Sequence, residues 1–543
     1  MAKWTLRLAI GAAAVAIAAP AVAKEPQGQQ TRQVRVAPYI EANQVLTAEL
    51  SPNSDTVTYT QVAAGTDVSV QGRNNGVAAS VRVERTFGYD SGVADSTTVS
   101  GLARGYASVV PHALSIEGGA LATRTRVDST GGATVGSGLR GPNESRVYSA
   151  YAGPNLHTRA GDAEINANYR VGYTRAEAPD AIPVAPGGAA IDVFDDSLVQ
   201  SANVHAGTRA GDGLPIGVGV GGGFYQEDVS NLDQRVRDAH YRADVTVPLS
   251  PSLAAVGGVG YEDIEISSRD AVRDTSGVPI IGPDGRFVTD KGAPRQIAYD
   301  TDGLIWDVGV MWRPSTRTSA EAHVGKRYDS TTYYGSFAWA PSSRSSVNLS
   351  VYDGITGFGG QLTNALGALP TDFAANRNAI TGDITGCVAS LQGNNCLTGV
   401  LGSIRSAVFR GRGVNASYAR QIGRLSAGFA AGYDRRKFIA APGTVLAAAN
   451  GVVDEDWWAA AYISGPIDAR SSFGFNWSAN WLGSGVAGAG DATVLTASAA
   501  YRRYLLAGLS ANAAVGVDYL DGSIAGQDLT TASALLGLRY DFN

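Results

Sequence analysis

The last stretch of this chain alternates so strictly that it dictates the medium on either side of it. One face carries Thr530, Ala532, Ala534, Leu536, Leu538, Tyr540 and Phe542; the other carries Thr531, Ser533, Gly537, Arg539 and Asp541. Successive side chains of a β-strand point to opposite faces, so one face meets an apolar medium and the other meets water. The pattern recurs along the chain. Ile165, Ala167, Tyr169, Val171 and Tyr173 oppose Glu164, Asn166, Asn168, Arg170 and Gly172, while Ala239, Tyr241, Ala243, Val245 and Val247 oppose Asp238, His240, Arg242, Asp244 and Thr246. Ala320, Ala322 and Val324 oppose Glu321, His323 and Arg327; Phe473, Phe475, Trp477, Ala479 and Trp481 oppose Ser472, Asn476 and Asn480. Exchanging the faces would put charge into hydrocarbon. Two-faced segments of about ten residues, repeated in this way, predict an all-β transmembrane antiparallel up-and-down barrel.

The start of the chain agrees. Lys3 and Arg7, the apolar run Leu8 to Ala19 and the small residues Ala21-Val22-Ala23 have the order of a cleavable secretory signal over 1–23. Beyond it, no window approaches the roughly 18 apolar residues of a membrane helix. An exported chain of this kind can span a bilayer only as a barrel, which points to the outer membrane of a Gram-negative bacterium. With 68 Gly, 23 Tyr and 8 Trp and a mean hydropathy of -0.04, the composition suits half-apolar strands. Losing Lys3 and Arg7 takes the net charge from -6 to -8, which speaks against nucleic acid as a partner.

Connections rich in turn formers separate the strands. A short set (209–213, 249–252, 314–316, 340–343, 421–423) alternates with a long set (128–144, 177–196, 267–300, 353–405, 438–452). This is the expected asymmetry of periplasmic turns and outer loops, with both termini periplasmic. A segment 24–33 precedes a barrel over 34–543 of about 22 strands, with about 18 to 22 admissible because the pattern blurs near 97–110, 145–157 and 345–352. Tyr89, Tyr173, Trp312, Tyr433 and Tyr519 stand near strand ends, where aromatic rings bridge hydrocarbon and headgroups.

The N-terminal Arg35-Val36-Ala37-Pro38-Tyr39-Ile40-Glu41, the stretch Asp55 to Val70, the long cysteine-bearing insert and the ending Leu538-Arg539-Tyr540-Asp541-Phe542 resemble the porin-like outer-membrane β-barrel family associated with exopolysaccharide and PEP-CTERM loci. The resemblance lies in layout. It implies an outer-membrane protein with a role in envelope polysaccharide or surface assembly, with outer-membrane lipid and export components as partners and no catalytic residues. Tyr540 and Phe542 also resemble the terminal signal by which barrels reach the assembly machinery, although Asn543 follows Phe542.

Candidate functional residues fall into three groups. Cys387 and Cys396 are the only cysteines. An oxidising periplasm predicts that they pair, whereas a structural zinc site would need further ligands, and no histidine lies in that segment. The surrounding insert, 353–405, is long enough to be functional. Its piece 361–369, ended by Pro370, is compatible with a short helix, and the insert either narrows the lumen or stays outside as a surface loop. The second group is the lumen charge: Arg82, Glu84, Arg170, Asp238, His240, Arg242, Asp244, Glu321, His323 and Arg327, with Arg410 and Arg412. These select polar solutes or simply line a water-filled wall. Basic residues are nearly all arginine, Lys3, Lys24, Lys291, Lys326 and Lys437 being the only lysines. That suits pairing with carboxylates or anionic sugars, and a GC-rich genome would produce the same bias.

The third group is the histidines, His112, His157, His205, His240 and His323, none of which lies beside a nucleophile-elbow motif. No enzyme activity, metal or cofactor is expected. A plugged TonB-type receptor is disfavoured because only 24–33 precede the first strand. The expected function is a porin-like pore for polar solutes, linked to exopolysaccharide export. The alternative is a non-conducting barrel that organises surface polysaccharide through its loops.

Overall fold

The computed structural model describes residues 33–89, 93–127, 133–135, 144–177, 182–183, 190–191, 196–283, 285–392, 396–402, 404, 407–485, 491–522 and 528–542. The signal segment 1–23 and residues 24–32 lie outside the described residues, as does most of the loops 128–144 and 177–196.

Twenty-two antiparallel strands follow one another around a ring. The first, Gln33–Ser51, pairs with the last, Leu529–Asp541, and closes it. Closure removes both sheet edges, so every strand finds partners for its backbone groups without water, as hydrocarbon requires. The three stretches where the alternation blurs are strands, Ser96–Val110, Glu144–Ala160 and Ser345–Thr356.

The outer surface follows the period-two pattern. In Gln296–Ser315, the residues Leu304, Trp306, Val308, Val310 and Trp312 are 42 to 63% exposed, while Asp307 between them is 7% exposed. The last strand behaves likewise: Leu536, Leu538, Tyr540 and Phe542 face out, and Thr531, Ser533 and Leu535 are buried. A contiguous apolar belt around a closed wall is surface made for lipid, and the protein is an outer-membrane β-barrel. Trp306 and Trp312 bracket Val308 near the middle of this belt. Val308→Arg is therefore expected to destabilise the barrel by about 2–4 kcal/mol, read as a lower urea midpoint for folding into liposomes. An unchanged midpoint would remove Val308 from the lipid face.

All the turns at one end are short: 72–74, 111–113, 161–162, 251–252, 316–317, 343–344, 423–424, 467–470 and 505–508, with 209–216 the longest. Gln33 and Phe542 lie at this periplasmic end. The opposite end carries the long loops, but not only long ones. Tyr328 and Asp329 form a two-residue hairpin there, with φ of 54 and 49°, the left-handed pair that a tight, twisted hairpin requires.

Two outer loops dock on each other. Asp270, in the loop 269–295, accepts the Val445 N–H of loop 440–452 at 2.8 Å and the Arg273 guanidinium at 2.9 Å. Burial alone would push its carboxyl up, but the Arg273 bond and the backbone N–H groups of Val445 and Ala271 outweigh it and hold the group below its usual range. A depressed carboxylate stabilises docking at neutral pH, and that contribution is lost as pH falls below about 4, through the lowered value. The protection of amides in 440–452, taken relative to their intrinsic exchange rate at each pH, should therefore fall on acidification in the wild type and lose that dependence in Asp270→Asn. A wild-type protection factor that stays constant between neutral pH and about pH 3 would sink the assignment.

Candidate functional site

The insert leaves the wall between Ser345–Thr356 and Val408–Ile422, two strands that pair directly with each other up to Thr356↔Phe409. It turns inward. A helix, Phe358–Ala368, is followed by the hairpin Ala374–Arg377 with Ile384–Ala389, the disulfide Cys387–Cys396 and a short 3-10 turn, Val400–Gly402. The wall strands extend further than expected, so the insert spans 357–407. Its helix starts at Phe358, before the position 361 expected from sequence, because Glu227 supplies a start signal from another strand. That fully buried carboxylate accepts the N–H groups of Gly357 and Gly360 at 2.6 and 3.0 Å. A negative charge there satisfies donors that lack an intrahelical partner and complements the helix dipole.

Docking combines an apolar pad with polar ties. Phe358, Leu362, Leu366, Leu369, Ile384 and Leu401 pack against Ala78, Leu102, Leu121, Val147 and Tyr151 of the wall. Arg124 binds Asp383 at 2.5 and 3.0 Å, with both side chains under 10% exposed. Arg377 reaches Ser80 at 2.9 Å and Ser100 at 2.8 Å, and Arg104 donates to the Gly367 carbonyl. Further around the ring, Asn476 donates to the Arg377 carbonyl at 3.1 Å and Arg436 to the Gly399 carbonyl at 2.8 Å. The insert is thus tied to strands on several sides of the lumen.

The sequence-selected lumen charges separate into two sets. Arg82, Glu84 and Arg170 belong to the side that holds the insert. Arg82 pairs with Glu41 and, at 2.7 Å, with Glu84. Arg170 binds Glu117 at 2.9 Å and lies over the Tyr151 ring. The other seven form a ribbon along the wall. Arg242 grips Asp307 with two bonds of 2.8 and 2.9 Å and approaches Asp244, which His205 meets at 3.0 Å. His323 bridges Asp307 and Glu321, both at 2.9 Å, stacked on Tyr334. Arg327 joins Asp238 at 2.7 Å and Glu262 at 2.5 Å, with His240 beside it at 3.2 Å.

Arg410 and Arg412 are a correction. They share the outward parity of the exposed Tyr418, clasp Asp353, and lie over the rings of Tyr328 and Tyr333. They face away from the lumen because the strand Val408–Ile422 turns its odd-numbered residues inward, as buried Phe409 shows. Sequence reasoning missed Glu227, Arg124, Asp383, Asp307 and Glu262. Most of these pair with residues far along the chain, and no local pattern announces such partners.

Between the insert and the opposite wall lies a cavity of about 700 Å³, lined by Arg170, Asn203, His240, Gln361, Asp434 and Trp458 among others. It shares Asn168, Asn203 and His240 with a polar cleft that also takes in His205, Arg242 and Asp244, on the way to the periplasmic end.

No protein-family model and no curated protein matches this chain. Among solved structures it is similar to the iron transporter FrpB of Neisseria meningitidis in its apoprotein form, with a TM-score of 0.42 and 12% identity over 93% of this chain and 81% of that one. It is also similar to the ferric-catecholate import receptor Fiu of E. coli in its open form (TM-score 0.41, 11% identity, 95% and 82% covered). A third is the siderophore receptor PiuA of Acinetobacter baumannii (TM-score 0.41, 9% identity, 93% and 82% covered).

Proposed function

We propose that the protein is a porin-like conduit for polar solutes, with the insert as a constriction and the charged wall opposite as the lining of the path. The polar cavity between insert and wall, continuous with a cleft leading to the periplasmic end, carries this reading. Proteoliposomes containing the full-length protein should swell in isotonic solutions of small polar solutes. Absence of swelling, both in the wild type and in a variant without the insert, would refute the reading. Along the ribbon, Asp238, Asp244, Glu262, Asp307 and Glu321 outnumber Arg242 and Arg327. The open path should favour cations, with a reversal potential of cation-selective sign in a KCl gradient; an anion-selective sign would show that the ribbon does not line the path.

A narrower reading, coupling to exopolysaccharide export, draws on the resemblance of layout alone. The second reading, a closed barrel acting through its loops, is favoured by the ties of the insert to several sides of the lumen. In that case only the insert-free variant would swell. In the lumen, His205, His240 and His323 each hydrogen-bond a carboxylate of the ribbon. Tyr540 and Phe542 pack edge to face on the lipid side, which supports reading them as the assembly signal.

A further inference from the structure

At the outer end of the barrel, two rows of paired residues cross the strands Ser345–Thr356, Val408–Ile422, Leu425–Ile439 and Val453–Pro466. One row reads Asp353, Arg412, Arg435, Glu455; the next row outward has Arg410 and Lys437 between Ile355 and Val453. Arg410 thus stands directly opposite Lys437, and Arg412 opposite Arg435, with these cations on the parity that turns away from the lumen. Like charges in directly opposite positions destabilise a sheet. Other outward cations at this end face a carboxylate instead: Arg175 meets Asp196, Arg235 meets Asp228 and Arg237 meets Glu265.

The repulsion is offset only in part. Asp353 binds Arg410 at 2.7 Å and Arg412 at 3.1 Å, and Glu455 reaches Arg435 at 3.6 Å. Both carboxylates stand in the first row, and the second has none. Lys437 is exposed and makes no ion pair among the described residues. Four cations against two carboxylates leave this patch with a charge of +2. Arg410 already spends its donors on Asp353, Ser330 and Thr331, so Lys437 and the half-exposed Arg435 are the groups open to a further acceptor.

The position of the patch says what that acceptor is. One row nearer the belt, Tyr433 and Trp457 stand opposite each other with ring centroids 4.5 Å apart, and Trp457 is 57% exposed. Such rings mark the edge of the hydrocarbon. Two residues of strand advance about 7 Å, so the two rows of cations lie about 7 and 14 Å along the strands beyond that edge, at the level of lipid headgroups. Basic clusters at this level attract lipid phosphates. A phosphodiester carries a single negative charge and would leave the patch positive, whereas a phosphomonoester carries about 1.5 to 2 near pH 7 and neutralises it. We propose that the patch binds the phosphomonoester headgroup of a lipid in the leaflet at the outer end of the barrel. Lys437 and Arg435 contact the phosphate, and Arg410 and Arg412 add to the field that holds it.

Native mass spectrometry of the full-length protein in detergent, titrated with diphosphoryl lipid A, whose phosphates are monoesters, tests this. Saturable binding is expected in the wild type, tighter than that of the diester phosphatidylglycerol. Arg435→Gln with Lys437→Gln should weaken it about ten- to thirty-fold, since each cation beside a lipid phosphate is worth about a factor of five. Arg235→Gln with Arg237→Gln, which removes two cations that already face carboxylates, should leave it unchanged. Should the first pair fail to fold, Lys437→Glu places a carboxylate opposite Arg410 at an exposed position. It should weaken lipid A binding while raising the unfolding temperature of the lipid-free protein, because it removes a like-charge pair. No saturable binding by the wild type, unchanged affinity in the Lys437 variants, or an equal loss in the Arg235 and Arg237 variant would overturn the site. Equal binding of phosphatidylglycerol would overturn the phosphomonoester assignment, and displacement by inorganic phosphate at the concentration of the lipid would show that the ligand is a soluble anion and overturn the lipid assignment.

Discussion

Joining Gly357 to Ala407 through a short flexible linker, with residues 358–406 removed, is expected to raise single-channel conductance in planar bilayers several-fold. The wall should survive the deletion, because Ser345–Thr356 and Val408–Ile422 already pair directly and become an ordinary hairpin. What leaves is the helix, the hairpin and the disulfide segment, which between them tie to strands on several sides of the lumen. What remains is a wide ring whose interior, in barrels of this strand number, is open unless something fills it. Removal also exposes the apolar pad of Ala78, Leu102, Leu121, Val147 and Tyr151 to water, so the variant should unfold at a lower temperature while conducting more. Equal conductance with and without the insert would show that the insert is not the constriction.

Arg124→Ala should produce the largest effect of any single substitution in the insert's docking. Arg124 and Asp383 lie 259 residues apart and meet where both side chains are under 10% exposed. A buried pair adds little net stability over an apolar pair of the same size, but removing one partner leaves the other charge uncompensated, at about 3–5 kcal/mol. The cost falls on the docked state of the insert, because Asp383 regains water when the hairpin Ala374–Arg377 with Ile384–Ala389 detaches. Amide exchange in 374–389 should accelerate while the wall strands stay protected, and single-channel records should show excursions to the level of the insert-free barrel. The paired replacement Arg124→Met with Asp383→Leu should recover much of the protection. Unchanged exchange in Arg124→Ala would show that apolar packing alone holds the insert.

The candidate site was legible in part, and the limits are physical. Parity along a strand assigns a face, so Asp238, His240, Arg242, Asp244, Glu321, His323 and Arg327 could be placed on one wall from sequence, and they form one ribbon. Arg410 and Arg412 carry the same parity as the outward Tyr418 and point outward with it, so the parity of that strand, followed from its lipid-facing residue, places them outside the lumen. One signal of the insert's position was present but illegible. The alternation blurs near 97–110 and 145–157, and those strands supply Leu102, Val147 and Tyr151 to the pad beneath the insert. An apolar residue on a lumen face weakens the period-two pattern, and the same weakening marks where something dry packs inside the barrel.

The sequence by itself determined the barrel, its lipid belt and its short-turn end and held the strand number to about 18 to 22, because alternation and turn chemistry are local and a bilayer imposes them on every strand separately. Only the tertiary structure decided that the insert lies inside, which charges tie it there and where the cavity remains. Those outcomes depend on complementarity between groups hundreds of residues apart, such as Arg124 with Asp383 and Glu227 with the Gly357 and Gly360 amides. Neither member of such a pair carries a mark of the other until the ring has closed around both.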